Sequence, residues 1–273
     1  MFYSTKYLGK TMHKISITAS LVLFILAQVN SQAQTAEELA KKLSNPIASL
    51  ISVPFQNNTD LGIGDNFGTR NTLNIQPVIP IKVSDNLNLI TRYIVPVIAQ
   101  YNITGYQQDE FGLGDAVISA FISPTESGIT WGVGPVFLVP TGTDDFLTTK
   151  KWGVGPTAVA LVQTSGWTIG GLINQIWSFA GSEDRPDVSQ MFVQPFVTYN
   201  WKSGAGIGAN IEWTQNWKSS TSTIWLNPTI SAVTSLGDQK TQFAIGPRFN
   251  LAAPGGSEAD FGVRAVIVLL FPN

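Results

Sequence analysis

Asp260-Phe261-Gly262-Val263-Arg264-Ala265-Val266-Ile267-Val268-Leu269-Leu270-Phe271 decides how the rest of the chain is read. Phe261, Val263, Ala265, Ile267, Leu269 and Phe271 fall on one face; Asp260, Gly262 and Arg264 fall on the other. A period of two is a β-strand with one apolar side. A long apolar strand left at an open edge would template aggregation, so the sheet is expected to close, with this strand against Ala48–Gln56. Its apolar face then points outward and its polar face inward, and the surrounding solvent is lipid.

Composition agrees with that expectation. Charged residues make up 12% and hydrophobic residues 44%, against about 25% charged in an ordinary soluble domain. Beyond the leader, no segment offers the roughly 20 apolar residues that a membrane helix needs. Composition alone leaves a secreted β-sandwich open as the alternative.

Residues 1–33 read as a secretory signal peptide. Lys6, Lys10 and Lys14 precede the apolar run Ile15–Val29, and Ser31-Gln32-Ala33 offers a cleavage site after Ala33. Met12-His13-Lys14 with the same apolar run would be a complete signal on its own. Removing the segment takes three lysines, leaving thirteen basic residues against eighteen acidic ones, and it also takes the only histidine, His13. The remaining chain has neither His nor Cys. Disulfides, thiolate nucleophiles, His/Cys zinc sites and Ser-His-Asp hydrolysis are therefore not expected, and no cofactor or metal is expected. An acidic balance without a basic cluster argues against nucleic acid.

Residues 34–47 are expected to form a short periplasmic helix or arm. Thr35 and Glu38 make a capping-box pattern, and Glu37/Lys41 and Glu38/Lys42 are favourable pairs one turn apart. Asn45-Pro46 ends it. It sits near the barrel mouth or acts as a plug.

From Ala48 onward, alternating segments are separated in turn by short and long polar connections. The short ones are Ser84–Asn86, Ser123–Gly128, Thr164–Gly166, Lys202–Gly204 and Leu236–Lys240, all rich in turn formers. The long ones are Asn57–Arg70, Gln100–Glu110, Thr141–Lys151, Ala180–Ser189, Lys218–Ser222 and Ala253–Ala259. About twelve strands result. An even count with short turns at one rim and long loops at the other is the pattern of bacterial outer-membrane barrels. The predicted fold is an all-β, transmembrane, antiparallel up-and-down β-barrel spanning 48–273, with outer-membrane lipid around it. Trp131-Gly132-Val133-Gly134-Pro135 recurs as Trp152-Gly153-Val154-Gly155-Pro156, and prolines recur inside strands at Pro77, Pro80, Pro96, Pro195 and Pro228. Bulges are the expected accommodation. Trp131, Trp167 and Trp201 lie near short turns, and Trp152, Trp177, Trp217 and Trp225 near long loops, as two interfacial belts would require.

Where alternation is clean it assigns the lumen. Asn74, Gln76 and Lys82, Arg92, Asn210 and Glu212, Arg248 and Arg264 are expected to face in, because a lipid-facing Arg or Lys at mid-depth costs about 2–4 kcal/mol. Phe111-Gly112-Leu113-Gly114-Asp115 fits two registers. A bulge at its glycines would turn Asp115 and Ser119 inward. These lumen groups are candidates for solute contact, with mutual pairing the heavier expectation.

Ala36–Asn58, Asn74-Ile75-Gln76-Pro77-Val78-Ile79-Pro80, Gly112-Leu113-Gly114-Asp115 and Trp131–Pro135 resemble bacterial outer-membrane proteins described as transporters. They are similar to the "MetA-pathway of phenol degradation" family, some of whose members are labelled neuromedin U. The resemblance implies an outer-membrane barrel passing small solutes, hydrophobic or aromatic ones included. The last strand, with Phe271 near its end, resembles the signal read by the outer-membrane assembly machinery, although Pro272-Asn273 departs from the usual terminal aromatic. The family resemblance supplies no catalytic or binding residues. A barrel without an open pore that is structural or binds ligands is the alternative. Loop carboxylates at Asp60, Asp65, Asp144, Asp145, Glu183, Asp184 and Asp187 would face the outer rim, without a full EF-hand spacing. A membrane-embedded hydrolase working through Glu212 or Asp115 is the least expected reading, and the chain is not expected to be an enzyme.

Overall fold

The computed structural model describes residues 33–125 and 128–271. The predicted signal segment lies outside them except for the backbone of Ala33, and so does the side chain of Thr35 in the predicted cap. Helix α1 spans Ala33–Leu43. The wall begins with β1 (Ile51–Ile63), β2 (Gly68–Ile75, resumed at Val78–Ser84), β3 (Leu87–Tyr101) and β4 (Asp109–Leu113, resumed at Ala116–Pro124). It continues with β5 (Thr130–Val139), β6 (Lys151–Thr164), β7 (Trp167–Gly181) and β8 (Ser189–Asn200). Strands β9 (Ala205–Asn216), β10 (Thr221–Leu236), β11 (Gln239–Ala252) and β12 (Phe261–Phe271) complete it.

Each strand pairs antiparallel with its neighbours, and β12 returns to β1, from Ile51 opposite Phe271 to Leu61 opposite Phe261. The wall is a closed twelve-strand barrel. Closure was expected, but the seam runs further along β1 than Ala48–Gln56. The predicted loop Asn57–Arg70 is mostly wall: β1 and β2 extend through it, and only residues 64–67 connect them. This draws Asp60, expected at the outer rim, into the lumen.

Alternation holds along β12. Phe261, Ile267 and Phe271 are exposed on the outer face, whereas Arg264 is 2% exposed and Leu270 1%. The same split puts Phe243, Ile245, Phe249 and Leu251 of β11 outside. Trp131, Trp152, Trp167, Trp177, Trp201 and Trp217 are likewise exposed towards the two rims, as interfacial belts require. Trp225 departs from the expectation. It alternates in step with the inward Asn227 and Val233 of β10, and the indole stacks under the guanidinium of Arg248 at 4.3 Å.

Of the prolines for which bulges were expected, Pro96 lies opposite one, whereas others keep the ladder in register. Register is unchanged across Pro77, Pro195 and Pro228. Pro135 and Pro156 face one another across β5 and β6, and on their other sides the ladder lacks rungs without slipping. A proline has no N–H to donate, so the carbonyl facing it is released. That carbonyl leans over the preceding glycine: a Cβ on Gly134 would lie 1.8 Å from the Ala120 oxygen, and one on Gly155 1.7 Å from the Gln175 oxygen. The repeated Gly-Pro is therefore a missing rung with room beside it. A true bulge does occur where expected, at Gly114-Asp115. Val97 faces Leu113 but Ile94 faces Val117, so three steps on β3 match four on β4.

The rim of short turns, periplasmic in barrels of this kind, is filled rather than open. Leu39 and Ala40 of α1 are buried with Ala48, Leu50, Val233 of β10 and Leu270 of β12. Above them Ile47 packs into an apolar layer of inward side chains that includes Val78, Ile90, Phe121, Leu161 and Leu172. Gln163 donates to the Lys41 carbonyl at 2.7 Å, and Asn200 to Ser44 at 2.8 Å. The inward residues singled out from the sequence are polar or charged, but at this end the inward residues form an apolar core, because they face protein and not water.

Candidate functional site

Above the apolar layer the inward residues become polar and charged. Arg264 donates through Nη2 to both oxygens of Glu212, at 2.8 and 3.0 Å, and through Nε to Asn58 at 2.8 Å. Arg248 donates through Nε to Asp60 at 2.9 Å and through Nη1 to Asn227 at 3.2 Å and Glu212 at 3.5 Å. Asn227 donates onward to Asn210 at 2.9 Å, and Gln194 reaches Glu212 at 3.3 Å. Four predicted lumen residues, Asn210, Glu212, Arg248 and Arg264, thus converge in one network. Asp60, Asn227 and Trp225 belong to it and were not foreseen. A buried ion cluster survives only when its members satisfy one another, and here both carboxylates have guanidinium partners.

Two further arginines are held differently. Arg92 donates to the Gln76 side-chain oxygen at 2.8 Å, and Arg70 donates through Nε to that of Gln100 at 2.9 Å. Gln100 in turn donates to Glu110 at 2.9 Å, and Thr104 also bonds to Glu110. Arg70 escaped the sequence reading because it was assigned to a loop. Its two-residue spacing from Thr72, Asn74 and Gln76 was the available signal.

Asp115 stands apart from both groups. The bulge turns it inward, where it accepts hydrogen bonds from Thr148 Oγ1, Thr149 Oγ1 and Thr149 N, each at 2.6 Å, and from Gly142 N at 3.2 Å. It pins the loop 140–150 into the mouth, with Leu147 buried. Lys82, also expected in the lumen, lies at the short-turn rim and pairs with Asp85 at 2.7 Å. At the opposite rim, Asp145 pairs with Lys150 and Arg185, and Asp187 with Lys151 and Lys218.

The free space in the barrel forms a series of adjoining cavities. One of about 560 Å³ opens between the loops, floored by Asp60, Arg70, Thr72, Trp225 and Arg248. A second, of about 490 Å³, shares Arg70 and Thr72 and runs under Phe146 and Leu147, with Ile98, Leu138 and Ile176 as its wall. Both adjoin a deeper chamber of about 220 Å³ lined by Asn58, Asn74, Gln76, Arg92, Phe192 and Glu212. Gln76 and Arg92 also line the last space, about 120 Å³, against residues 42–50 beneath.

Residues 46–267 match the family described as "Putative MetA-pathway of phenol degradation". The chain belongs to that family. The match takes in every wall strand up to the middle of β12, and with them both arginine groups and Asp115. Among solved structures, the family member described here is similar to an outer membrane channel from Pseudomonas putida F1, with a TM-score of 0.64 at 15% identity, over 81% of this chain and 94% of that one. The transport unit of the autotransporter AIDA-I from Escherichia coli is a more distant likeness, with a TM-score of 0.44 at 12% identity over 90% and 99% of the two chains. No curated protein matches the chain. The protein is an outer-membrane β-barrel.

Proposed function

We propose that this barrel is a passage for small solutes across the outer membrane, closed at the periplasmic rim by its own N-terminal segment. The series of adjoining cavities, from the loops down to residues 42–50, carries the reading. It pairs an apolar wall, Ile98, Leu138 and Ile176, with polar groups along its length, which suits small solutes with an apolar or aromatic body. The likeness to a channel and the phenol-degradation family description point the same way. Glu212, the carboxylate that a hydrolase reading would need, is held by two arginines, which supports a passage over an enzyme. The expected leader 1–33 and assembly by the outer-membrane machinery complete this reading.

The test is conductance of the purified barrel in planar bilayers. Wild type is expected to open briefly and to small conductance, and a variant weakening the plug, Leu39→Asp with Ile47→Asp, to open wider and for longer. Silence from both would sink the passage and favour a closed, ligand-binding barrel, the reading to which the lumen-crossing Arg–Glu network lends its weight.

A further inference from the structure

Four arginines face the lumen, and they fall into two kinds. Arg248 and Arg264 are each bonded to carboxylates. Among the described residues, neither Arg70 nor Arg92 forms an ion pair, and each is steadied by a glutamine oxygen. A glutamine oxygen orients a guanidinium without neutralising it. The carboxylates nearest Arg70 have their own donors: Asp60 has Arg248, and Glu110 has Gln100 and Thr104. Glu212, the carboxylate facing the deep chamber with Arg92, has Arg264 and Arg248.

Position makes the difference useful. Arg70 lines both mouth cavities, and Arg92 lines both the deep chamber and the space against the plug. Beside each lies an apolar surface: Ile98 and Leu138 share a cavity with Arg70, and Phe192 and Leu172 share one with Arg92. A guanidinium presents several donors in a planar fork that suits carboxylates. An uncommitted fork facing an apolar wall suits one kind of solute, a carboxylate on a small apolar or aromatic body.

We propose that Arg70 and Arg92 are successive anion-binding posts, at the mouth and at the floor of the passage, that select small apolar or aromatic monocarboxylates. This rests on the passage reading and narrows it. The solute enters with its carboxylate on Arg70 and moves down to Arg92, whose side chain borders the plugged space.

Sodium benzoate serves as the probe, with benzyl alcohol as its neutral counterpart. Calorimetric titration of the full barrel in detergent reads binding, and the reversal potential under a sodium benzoate gradient reads passage. Benzoate is expected to bind at least about tenfold more tightly than benzyl alcohol, with Arg70→Gln and Arg92→Gln each losing about tenfold, as one charge-assisted contact implies. Arg→Lys at either position keeps part of the affinity, and Lys218→Gln at the rim changes nothing. Heat-modifiable gel migration shows that each variant is folded. Equal binding of the two probes, or Gln variants that bind benzoate like wild type, overturns the proposal. Arginine-dependent benzoate binding with no current, even in the plug-weakened variant, upholds the posts and overturns the passage. Current with no preference for benzoate does the reverse.

Discussion

Arg264 on the last strand and Glu212 on the ninth meet across the lumen, one guanidinium nitrogen donating to both carboxylate oxygens at 2.8 and 3.0 Å. Strands β9 and β12 are not neighbours in the wall, so this pair braces the barrel through its interior. Glu212→Gln keeps the shape but leaves Arg264 with a neutral partner and Arg248 with only Asp60 as a charged one. Breaking a buried pair on one side typically costs about 3–5 kcal/mol. Urea unfolding in lipid vesicles should show a loss of that order, and a loss below about 1 kcal/mol would mean that the network is not a structural brace.

Asp115→Asn replaces an acceptor-only carboxylate with a group that donates from one side. Thr148 and Thr149 then lose an acceptor they now share, at a local cost of about 1–3 kcal/mol. Hydrogen exchange should quicken in residues 140–150 while the wall strands keep their protection. Unchanged exchange in the loop would show that Asp115 does not pin it.

Gly155→Ala should damage the wall, because its Cβ would sit 1.7 Å from the Gln175 oxygen. The nearest atoms to a Cβ on Gly171 would be 3.8 Å away, so Gly171→Ala is the matched control. The first is expected to lose about 1–3 kcal/mol as an overpacked site does, and the second to stay within about 0.5 kcal/mol. Equal behaviour of the two in urea titration would refute the missing-rung account.

The loop pairs set a pH dependence. Hydrogen bonding and attraction from Lys150, with Arg185 adding to it, hold the Asp145 carboxyl below its ordinary value of 3.8, and Lys151 and Lys218 do the same for Asp187. An acid with a depressed folded value contributes stability above its unfolded value and loses it as pH falls through the lowered one. The clamps should hold from neutral pH to about pH 4 and release only below that. The chain has no cysteine, so a single spin label at Ser182→Cys reports cleanly. Label mobility rising between neutral pH and about pH 5 would contradict the assignment.

Most of the wall was legible because lipid enforces alternation. Arg264, Arg248, Glu212 and Asn210 were placed correctly by counting from their apolar neighbours, and the bulge at Asp115 by two counts that disagreed. Legibility failed where that enforcement is weak. Near the rims polar residues occur on both faces, so Asp60 and Arg70 read as loop although they alternate in step with Asn58 and Thr72. Trp225 was placed in a belt because a long loop is near, although it alternates in step with Asn227 and Val233, which face inward. The apolar inner layer was invisible because Phe121, Leu161 and Leu172 pack with Ile47, which is far outside any local window on the sequence. Pairing preferences inside the lumen were also out of reach: whether an arginine meets a glutamate or a glutamine depends on which strands lie opposite.

Leu270 is the penultimate residue of the closing strand and also part of the surface on which Leu39 and Ala40 rest. The seat of the N-terminal helix is therefore incomplete until the last strand is in place, since Leu270 supplies part of it beside Ala48, Leu50 and Val233. Closing the wall and completing the seat of the helix are thus the same structural step, since one residue, Leu270, serves both.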